Sequence, residues 1–159
     1  MKSLFTFYLL FTIILCSVAL PVYAKDSEAL QPINLMFDAM REHNSDKFLA
    51  QFLTTAKLER LTKANEVKSS NLNNFATFIA TSTQHLDEQL FNIQLQVSGK
   101  LANAWTPFAF YVDGKLSHCG VNSFQLIKQQ GQWKIQYLID NVHTGSCESF
   151  IASHKAQEK

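Results

Sequence analysis

Blocks of like charge, internal repeats and low-complexity segments are all missing from this 159-residue sequence. Its 14 basic and 13 acidic residues are scattered along the chain. Proteins that bind nucleic acid or an anionic membrane usually carry a cluster of basic residues, so we expect neither as a partner. The composition does not shift along the chain, which indicates a single domain. The length is that of one ordinary domain with its own core.

Long apolar runs are also scarce, and the most extended one stands near the N-terminus. Leu4 to Leu20 is nearly all apolar, Lys2 precedes it, and residues 22–24 supply small residues for cleavage. This pattern predicts a signal peptide over residues 1–24 and a domain over residues 25–159. The protein is therefore expected to be periplasmic or secreted, with no membrane contact after cleavage.

Two other interpretations of the N-terminus stay open. The first is an uncleaved membrane anchor, although the apolar run is slightly short for a span and Pro21 interrupts it. The second is a lipid anchor on Cys16, although Leu15 stands where such a motif needs a small residue.

Cysteine is rare, with three residues in the whole sequence. Cys16 lies in the predicted signal peptide, which leaves Cys119 and Cys147 in the mature chain. No pair has CxxC spacing, which argues against a thioredoxin-type redox site and a cysteine zinc site. An even number of cysteines in an exported protein favours one disulfide, and two separate buried thiols are the alternative. The disulfide would close a loop of about 29 residues and contribute roughly 3 kcal/mol.

What is present is a clear division between helical and strand patterns. Apolar spacing predicts helices over residues 27–44, 46–55 and 73–90, and it leaves residues 56–73 as a connection or a poorly packed helix. Alternation predicts strands over residues 90–99, 101–112, 115–128 and 133–143, followed by a frayed tail over residues 153–159. Helices in the first half and an antiparallel meander in the second predict an α+β domain, with N-terminal helices packed on a curved antiparallel sheet.

Two tight turns allow the faces of the predicted sheet to be derived. Asp113-Gly114 pairs Val112 with Lys115, and a turn at Gln130-Gly131 pairs Lys128 with Trp133. Strict alternation from these turns puts Phe124 opposite Tyr137, Gly120 opposite Asn141 and His118 opposite His143. One face then collects aromatic and polar residues: Trp105, Tyr111, His118, Asn122, Phe124, Trp133, Tyr137, Asn141 and His143. The other face is plain core: Phe108, Phe110, Val112, Cys119, Val121, Ile127, Leu138 and Val142.

Aromatic walls with a few polar tips are typical of a small-molecule pocket. The alternative is an ordinary sheet with one face exposed to solvent, because tyrosine, tryptophan and histidine are also common at the solvent-exposed rim of a sheet. Two histidines fall short of a zinc site, and Asp140 is expected on the opposite face, so no metal and no cofactor are expected. Gly120 is expected to mark a bend or bulge.

The segment AWTPFAFYVDGKLSHCGVNSFQLIKQQGQWKI, residues 104–135, resembles a pattern of exported bacterial proteins in the nuclear-transport-factor-2-like (SnoaL-like) superfamily, described as nuclear transport factor 2 family or lumazine-binding proteins. The matching positions are Trp105, Pro107, Phe110, Tyr111, Gly114, Ser117, His118, Cys119, Gly120, Phe124, Gln125 and Trp133. The resemblance implies a cone-shaped α+β barrel whose mouth holds an apolar pocket.

Members of this superfamily include isomerases, dehydratases, cyclases, binding domains and dimerisation modules, so the fold alone implies no activity. Our first expectation is a module that binds a small apolar or aromatic molecule, with Trp105, Tyr111, Asn122, Phe124, Asn141 and His143 contacting it. The second is an isomerase-, dehydratase- or cyclase-like enzyme, with His118 as general base and Tyr111 or Tyr137 as donor. The third is a homodimerisation module without a ligand.

Overall fold

The computed structural model describes residues 23–157, in which the N-terminal helices pack on one face of a seven-stranded sheet. The elements are α1 (Tyr23–Arg41), α2 (Ser45–Leu49), β1 (Phe52–Leu61), β2 (Val67–Ser70), α3 (Leu72–Thr81), β3 (Leu86–Leu90), β4 (Gln94–Ser98), β5 (Leu101–Val112), β6 (Lys115–Gln129), β7 (Gln132–Val142) and α4 (Cys147–Lys155). The predicted signal segment lies outside these residues, except for Tyr23 and Ala24, which begin α1. Within residues 23–157, no helix is long and apolar enough to span a membrane.

The short helices begin where the sequence offers a polar cap. The side chain of Asn44 accepts a hydrogen bond from the backbone N–H of Lys47 at 2.9 Å and so starts α2. Asn71 caps α3 in the same way, and Ser146 caps α4. Such caps satisfy backbone N–H groups that the first turn leaves without partners.

The sheet has the order β2-β1-β7-β6-β5-β3, and β4 pairs with β5 beside β3. The α+β class, with N-terminal helices on a curved sheet, is confirmed. Two details differ from the expectation. The sheet is mixed, because β1 runs parallel to β7, and it is open rather than closed into a barrel, because β2 and β3 lie at its two edges.

The core lies between α1 and the concave face of the sheet. The predicted stripe of α1 is buried, with Ile33 fully covered and Met36, Phe37 and Met40 at most 5% exposed. Phe37 packs edge-on against Phe124 of β6, with ring centroids 6.4 Å apart. This packing buries the apolar face of α1, and burial of that kind is the main source of stability in a domain.

Three predicted elements were wrong. The predicted helix over residues 46–55 ends at Leu49, and residues 52–61 form β1 instead, because their backbone pairs with β7. The predicted helix over residues 73–90 ends at Thr81, and its last part is β3 at the sheet edge. The tail predicted to be frayed contains the end of α4.

Both predicted turns are confirmed. Asp113 and Gly114 have positive φ angles of 51° and 74°, and Gln130 and Gly131 have 49° and 82°. These angles belong to the tight reversal that suits the twist of a hairpin. Val112 pairs with Lys115, and Lys128 pairs with Trp133, as predicted.

Beyond the turns, one bulge in each hairpin breaks the alternation. Tyr111 pairs with Leu116, but Phe110 pairs with His118, so Ser117 is the extra residue. In the second hairpin Gln136 is the extra residue, since Gln125 pairs with Tyr137 and Leu126 with Ile135. A shift of one residue moves all following side chains to the other face. The predicted pairs Phe124–Tyr137, Gly120–Asn141 and His118–His143 are therefore wrong, and Phe124 faces Leu138.

Candidate functional site

A pocket of about 420 Å³ opens between α1, α2 and α3 on one side and the concave face of the sheet on the other. Among the described residues that line it, those from the helices are all apolar: Met36, Phe37, Met40, Phe48, Phe75 and Phe78. The sheet side supplies Leu58, Leu86, Phe110, Val112 and Leu138, together with the polar residues Glu59, Arg60, Lys68, Ser70, Gln84, Glu88, His118, Asn122 and Asp140. Apolar walls with convergent polar groups are the usual form of a small-molecule site.

Three phenylalanine rings in tilted contact form part of the helical wall. Phe75 of α3 lies between Phe48 and Phe78, with ring centroids 5.6 Å and 6.0 Å away. Phe78 lines the pocket and is also 53% exposed to solvent. An exposed aromatic ring at a pocket marks an apolar entrance rather than a sealed core.

Glu88 of β3 is the most perturbed acidic group of the pocket wall. Asn122 donates a hydrogen bond from Nδ2 to Oε1 of Glu88 at 2.7 Å, and the same nitrogen lies 3.3 Å from the hydroxyl of Thr106. The pKa of Glu88 is raised to about 8, mainly by burial and also by the negative charge of Asp140, while the hydrogen bond from Asn122 opposes the shift. At neutral pH this carboxyl group is therefore mostly protonated and can donate a hydrogen bond.

A charged pair from two neighbouring strands lies beside Glu88. Arg60 of β1 donates from Nε to both carboxylate oxygens of Asp140 of β7 at 2.9 Å, and its Nη2 contacts the same carboxylate. Parallel pairing of β1 with β7 sets Arg60 directly opposite Asp140. The hydrogen bond to Asp140 raises the pKa of Arg60. A paired guanidinium fixes both charges in one orientation on the pocket wall.

His118 of β6 lines the same pocket, half-buried between two phenylalanine rings. Its ring centroid lies 5.7 Å from that of Phe108 and 5.0 Å from that of Phe110. Nδ1 lies 3.2 Å from the hydroxyl oxygen of Ser117. Burial lowers the pKa of His118, and the positive charge of Arg60 lowers it further. The imidazole is therefore neutral at neutral pH and can accept a proton.

The structure separates the residues that were predicted to share one face. Asn122 and His118 line the pocket, and Phe124 lies on the same concave face, where it is fully buried behind Phe37. Trp105 lies on the convex face and is 49% exposed. Tyr111 shares that face, because no bulge interrupts β5 between the two residues.

The remaining predicted site residues also lie away from the pocket. Tyr137 donates its hydroxyl to the Glu59 carboxylate at 2.7 Å, and this bond raises the pKa of Tyr137. Asn141 accepts a hydrogen bond from the backbone N–H of Val121 at 3.0 Å. His143 packs against Phe150 of α4, with ring centroids 4.8 Å apart. The prediction that these side chains share one wall is wrong, and the cause is the bulge in each hairpin.

Three polar pocket residues were missed or misplaced by the sequence reasoning. Glu88 was assigned to the end of a helix, Arg60 to a connection or a poorly packed helix, and Asp140 to the opposite face. Alternation of Leu86, Glu88 and Leu90 with polar neighbours is the signal that could have identified β3.

The predicted disulfide is confirmed. Cys119 of β6 is bonded to Cys147, the first residue of α4, and their Cα atoms lie 5.6 Å apart. A disulfide is compatible with an extracellular compartment. Among residues 23–157, no three histidine, cysteine, aspartate or glutamate side chains come together as a metal site.

Comparisons with known proteins show likeness in structure and not in sequence. No family model matches the chain, and no curated protein matches it. Among solved structures, an NTF2-like protein of unknown function from Shewanella baltica OS155 is 12% identical, with a TM-score of 0.61 over 79% of this chain and 99% of its own.

Two further structures carry enzyme descriptions. A proposed scytalone dehydratase from Novosphingobium aromaticivorans is 11% identical, with a TM-score of 0.65 over 77% of this chain and 86% of its own. A proposed aromatic ring hydroxylase from the same species is 16% identical, with a TM-score of 0.65 over 77% of this chain and 92% of its own. Likeness at this level of identity shows the fold alone.

Proposed function

Starting from the nuclear-transport-factor-2-like fold of this chain, we propose that it binds a small, largely apolar or aromatic molecule in the pocket on the concave face. The observation that carries this proposal is the pocket itself, about 420 Å³ in volume and lined by helical side chains that are all apolar. This volume lies in the range of ordinary ligand sites, which is about 300–1,000 Å³. The polar groups gathered on the sheet side supply the orientation that a specific ligand needs.

A matched pair of substitutions tests the proposal. Val112 lines the pocket, whereas Tyr111, its neighbour in β5, points to the convex face. With the neutral fluorescent probe N-phenyl-1-naphthylamine, Val112→Trp is expected to weaken binding about tenfold or more, because the indole fills the pocket. Tyr111→Trp is expected to leave binding unchanged. Absence of probe binding to the unmodified protein, or equal binding by both variants, would contradict the proposal.

A second candidate function is supported by the half-buried, neutral imidazole of His118 in the pocket wall. As a general base, His118 would take a proton from the carbon next to a bound carbonyl group, leaving an enolate that regains a proton from the same ring. Dehydration and isomerisation reactions share this step. Tyr137, which was expected as the donor, bonds Glu59 instead.

Deuterium exchange tests this candidate. The methyl protons of 2-acetylnaphthalene in deuterium oxide should exchange faster with the protein than in buffer alone, as measured by proton NMR. His118→Gln should return the rate to that of buffer, while His143→Gln, on the other side of the sheet, should not change it. An unaccelerated rate, or full acceleration by His118→Gln, would leave binding as the better supported function.

A further inference from the structure

Asn122 fixes one oxygen of Glu88, a residue of the pocket lining, and leaves the other oxygen without a described side-chain partner. The amide nitrogen of Asn122 is shared between Oε1 of Glu88 at 2.7 Å and the hydroxyl of Thr106 at 3.3 Å. Asn122 and Thr106 are both buried, so this arrangement is held inside the fold. Among the described residues, no other side chain hydrogen-bonds the Glu88 carboxyl group. Since Oε1 accepts from Asn122, the proton of the neutral carboxyl group belongs on Oε2.

The charged and titratable groups near Glu88 come from its own strand and from four further elements. They are Asp87 on β3, Arg60 on β1, Asp140 on β7, His118 on β6 and Arg41 on α1. Arg60 is paired with Asp140, and Arg41 is shared between Asp87 at 2.9 Å and Asp38 at 2.6 Å. Burial is the main cause that raises the pKa of Glu88 to about 8, and the negative charges of Asp140 and Asp87 act in the same direction.

The polar side of the pocket therefore carries no net charge at neutral pH. Arg60 and Asp140 cancel, and the remaining charged residues of the lining, Glu59 and Lys68, have opposite signs. An anionic or cationic ligand would enter without a compensating charge, and an uncompensated charge in an apolar pocket is unfavourable. A neutral ligand satisfies the same polar groups without that penalty.

We propose that the ligand is a neutral, largely apolar molecule with one acceptor oxygen, as in a ketone, aldehyde or ether, and that the Glu88 hydroxyl donates a hydrogen bond to that oxygen. This inference rests on the proposed binding function and specifies the ligand class. Glu88 is then the residue that selects the ligand, and Asn122 is a positioning residue that acts through it.

Three probes of similar size separate the ligand classes. They are 2-acetylnaphthalene, which carries a carbonyl oxygen, 2-isopropylnaphthalene, which has no polar atom, and 2-naphthoate, which is an anion. Binding is measured at about pH 6 and about pH 9.5 by displacement of the fluorescent probe. At the lower pH the ketone is expected to bind about tenfold more tightly than the hydrocarbon, since one hydrogen bond is added. At the higher pH, where Glu88 is ionised, that advantage is expected to disappear.

Two variants make the assignment specific to Glu88. Glu88→Gln keeps a donor that does not titrate, so the preference for the ketone should persist at both pH values. Glu88→Leu has no donor, so it should bind ketone and hydrocarbon equally. Circular dichroism checks the fold of Glu88→Leu, and the pH dependence of the unmodified protein tests the inference even if that variant does not fold.

The outcomes distinguish this inference from the proposed function. If ketone and hydrocarbon bind equally at both pH values, or if 2-naphthoate binds most tightly, the claim that the Glu88 hydroxyl donates to the ligand is refuted. Ligand binding in the pocket would still be supported. If no probe binds, the proposed function itself fails. A ketone preference that Glu88→Leu retains would assign the donor to another residue and overturn the inference.

Discussion

Glu88 gives the pocket a pH-dependent effect on stability. Its pKa in the folded state is raised to about 8 from the ordinary value of 4.5, so at intermediate pH the folded state holds a proton that the unfolded state has released. The stabilisation from this proton is complete below the unfolded pKa and is lost as the pH rises through the folded pKa. The protein should thus become less stable between about pH 4.5 and about pH 8 on account of this group.

Glu88→Gln should remove that part of the pH dependence. Each unit of pKa difference corresponds to about 1.4 kcal/mol, so the unmodified protein is expected to lose on the order of 2–4 kcal/mol relative to the variant between about pH 5 and about pH 8. Urea unfolding of both proteins at several pH values measures the difference. Asp87→Asn, at the neighbouring position, serves as the control. Parallel stability curves for Glu88→Gln and the unmodified protein would show that the carboxyl group is ionised in the folded state.

Gly120 is required by a close approach of two strands. A Cβ atom at this position would lie 1.9 Å from the carbonyl oxygen of Asn141 and 3.1 Å from the ring of Phe108. Gly120→Ala should therefore force β6 away from β7 and destabilise the protein by roughly 1–3 kcal/mol or more. Ser123→Ala in the same strand is the control. Equal urea midpoints for the two variants would contradict the close approach.

At the level of single residues, the sequence identified part of the site. His118 and Asn122 were recognised because polar residues interrupt an apolar strand, and both line the pocket. Glu88 was not recognised, because LDEQL directly follows a helical pattern and its two leucines, four residues apart, fit a helix as well as a strand. What decides between them is pairing with β5, a contact between distant parts of the chain.

At the level of elements, the turns were predictable and the bulges were not. Asp113-Gly114 and Gln130-Gly131 carry local signals that set φ directly. Ser117 and Gln136, the bulged residues, have no such local requirement, and they follow from the curvature of the whole sheet. Beyond each bulge, side chains point to the face opposite to the one that strict alternation predicts. The unrecognised bulge in each hairpin therefore misplaced Tyr111 and Tyr137 relative to His118.

The helix α4 depends on its disulfide more than on packing. None of its residues is fully buried, and its ring contacts are those of Phe150 with His143 and His154. The Cys119–Cys147 bond ties its first residue to β6. Since a native disulfide typically contributes about 2–5 kcal/mol, Cys147→Ser should lower the free energy of unfolding by that amount.

Hydrogen exchange locates this effect. The amides of α4 should exchange faster in Cys147→Ser, while those of β7 should stay protected. Phe150→Ala with the disulfide intact should raise exchange less, because the covalent link remains. Unchanged protection of α4 in Cys147→Ser would show that packing alone holds the helix.

At the level of the whole molecule, the separation of helical from strand patterns predicted the α+β class. The resemblance of residues 104–135 to the nuclear-transport-factor-2-like pattern suggested the fold. Helices from the first half cover the concave face, and long strands from the second half form most of the sheet. The mixed, open arrangement was not predictable, since β1 joins β7 in parallel across more than half of the chain. The pocket arises from this arrangement, because β1 brings Arg60 opposite Asp140 and β3 brings Glu88 beside Asn122.

Export of the chain is the prediction that concerns the molecule as a whole. The N-terminal pattern predicts removal of residues 1–24, and the Cys119–Cys147 bond is of the kind that forms in an oxidising compartment. Expression with the native N-terminus should therefore yield a protein that begins at Lys25 and is lighter by two hydrogen atoms than its reduced form, as measured by intact mass spectrometry. A cytoplasmic control with Met added before Lys25 should give the same mass after oxidation, apart from that methionine. A mass that includes residues 1–24 would instead indicate an uncleaved membrane anchor. The mass of a lipid-modified chain that begins at Cys16 would indicate the lipid anchor. Either result would contradict cleavage after Ala24.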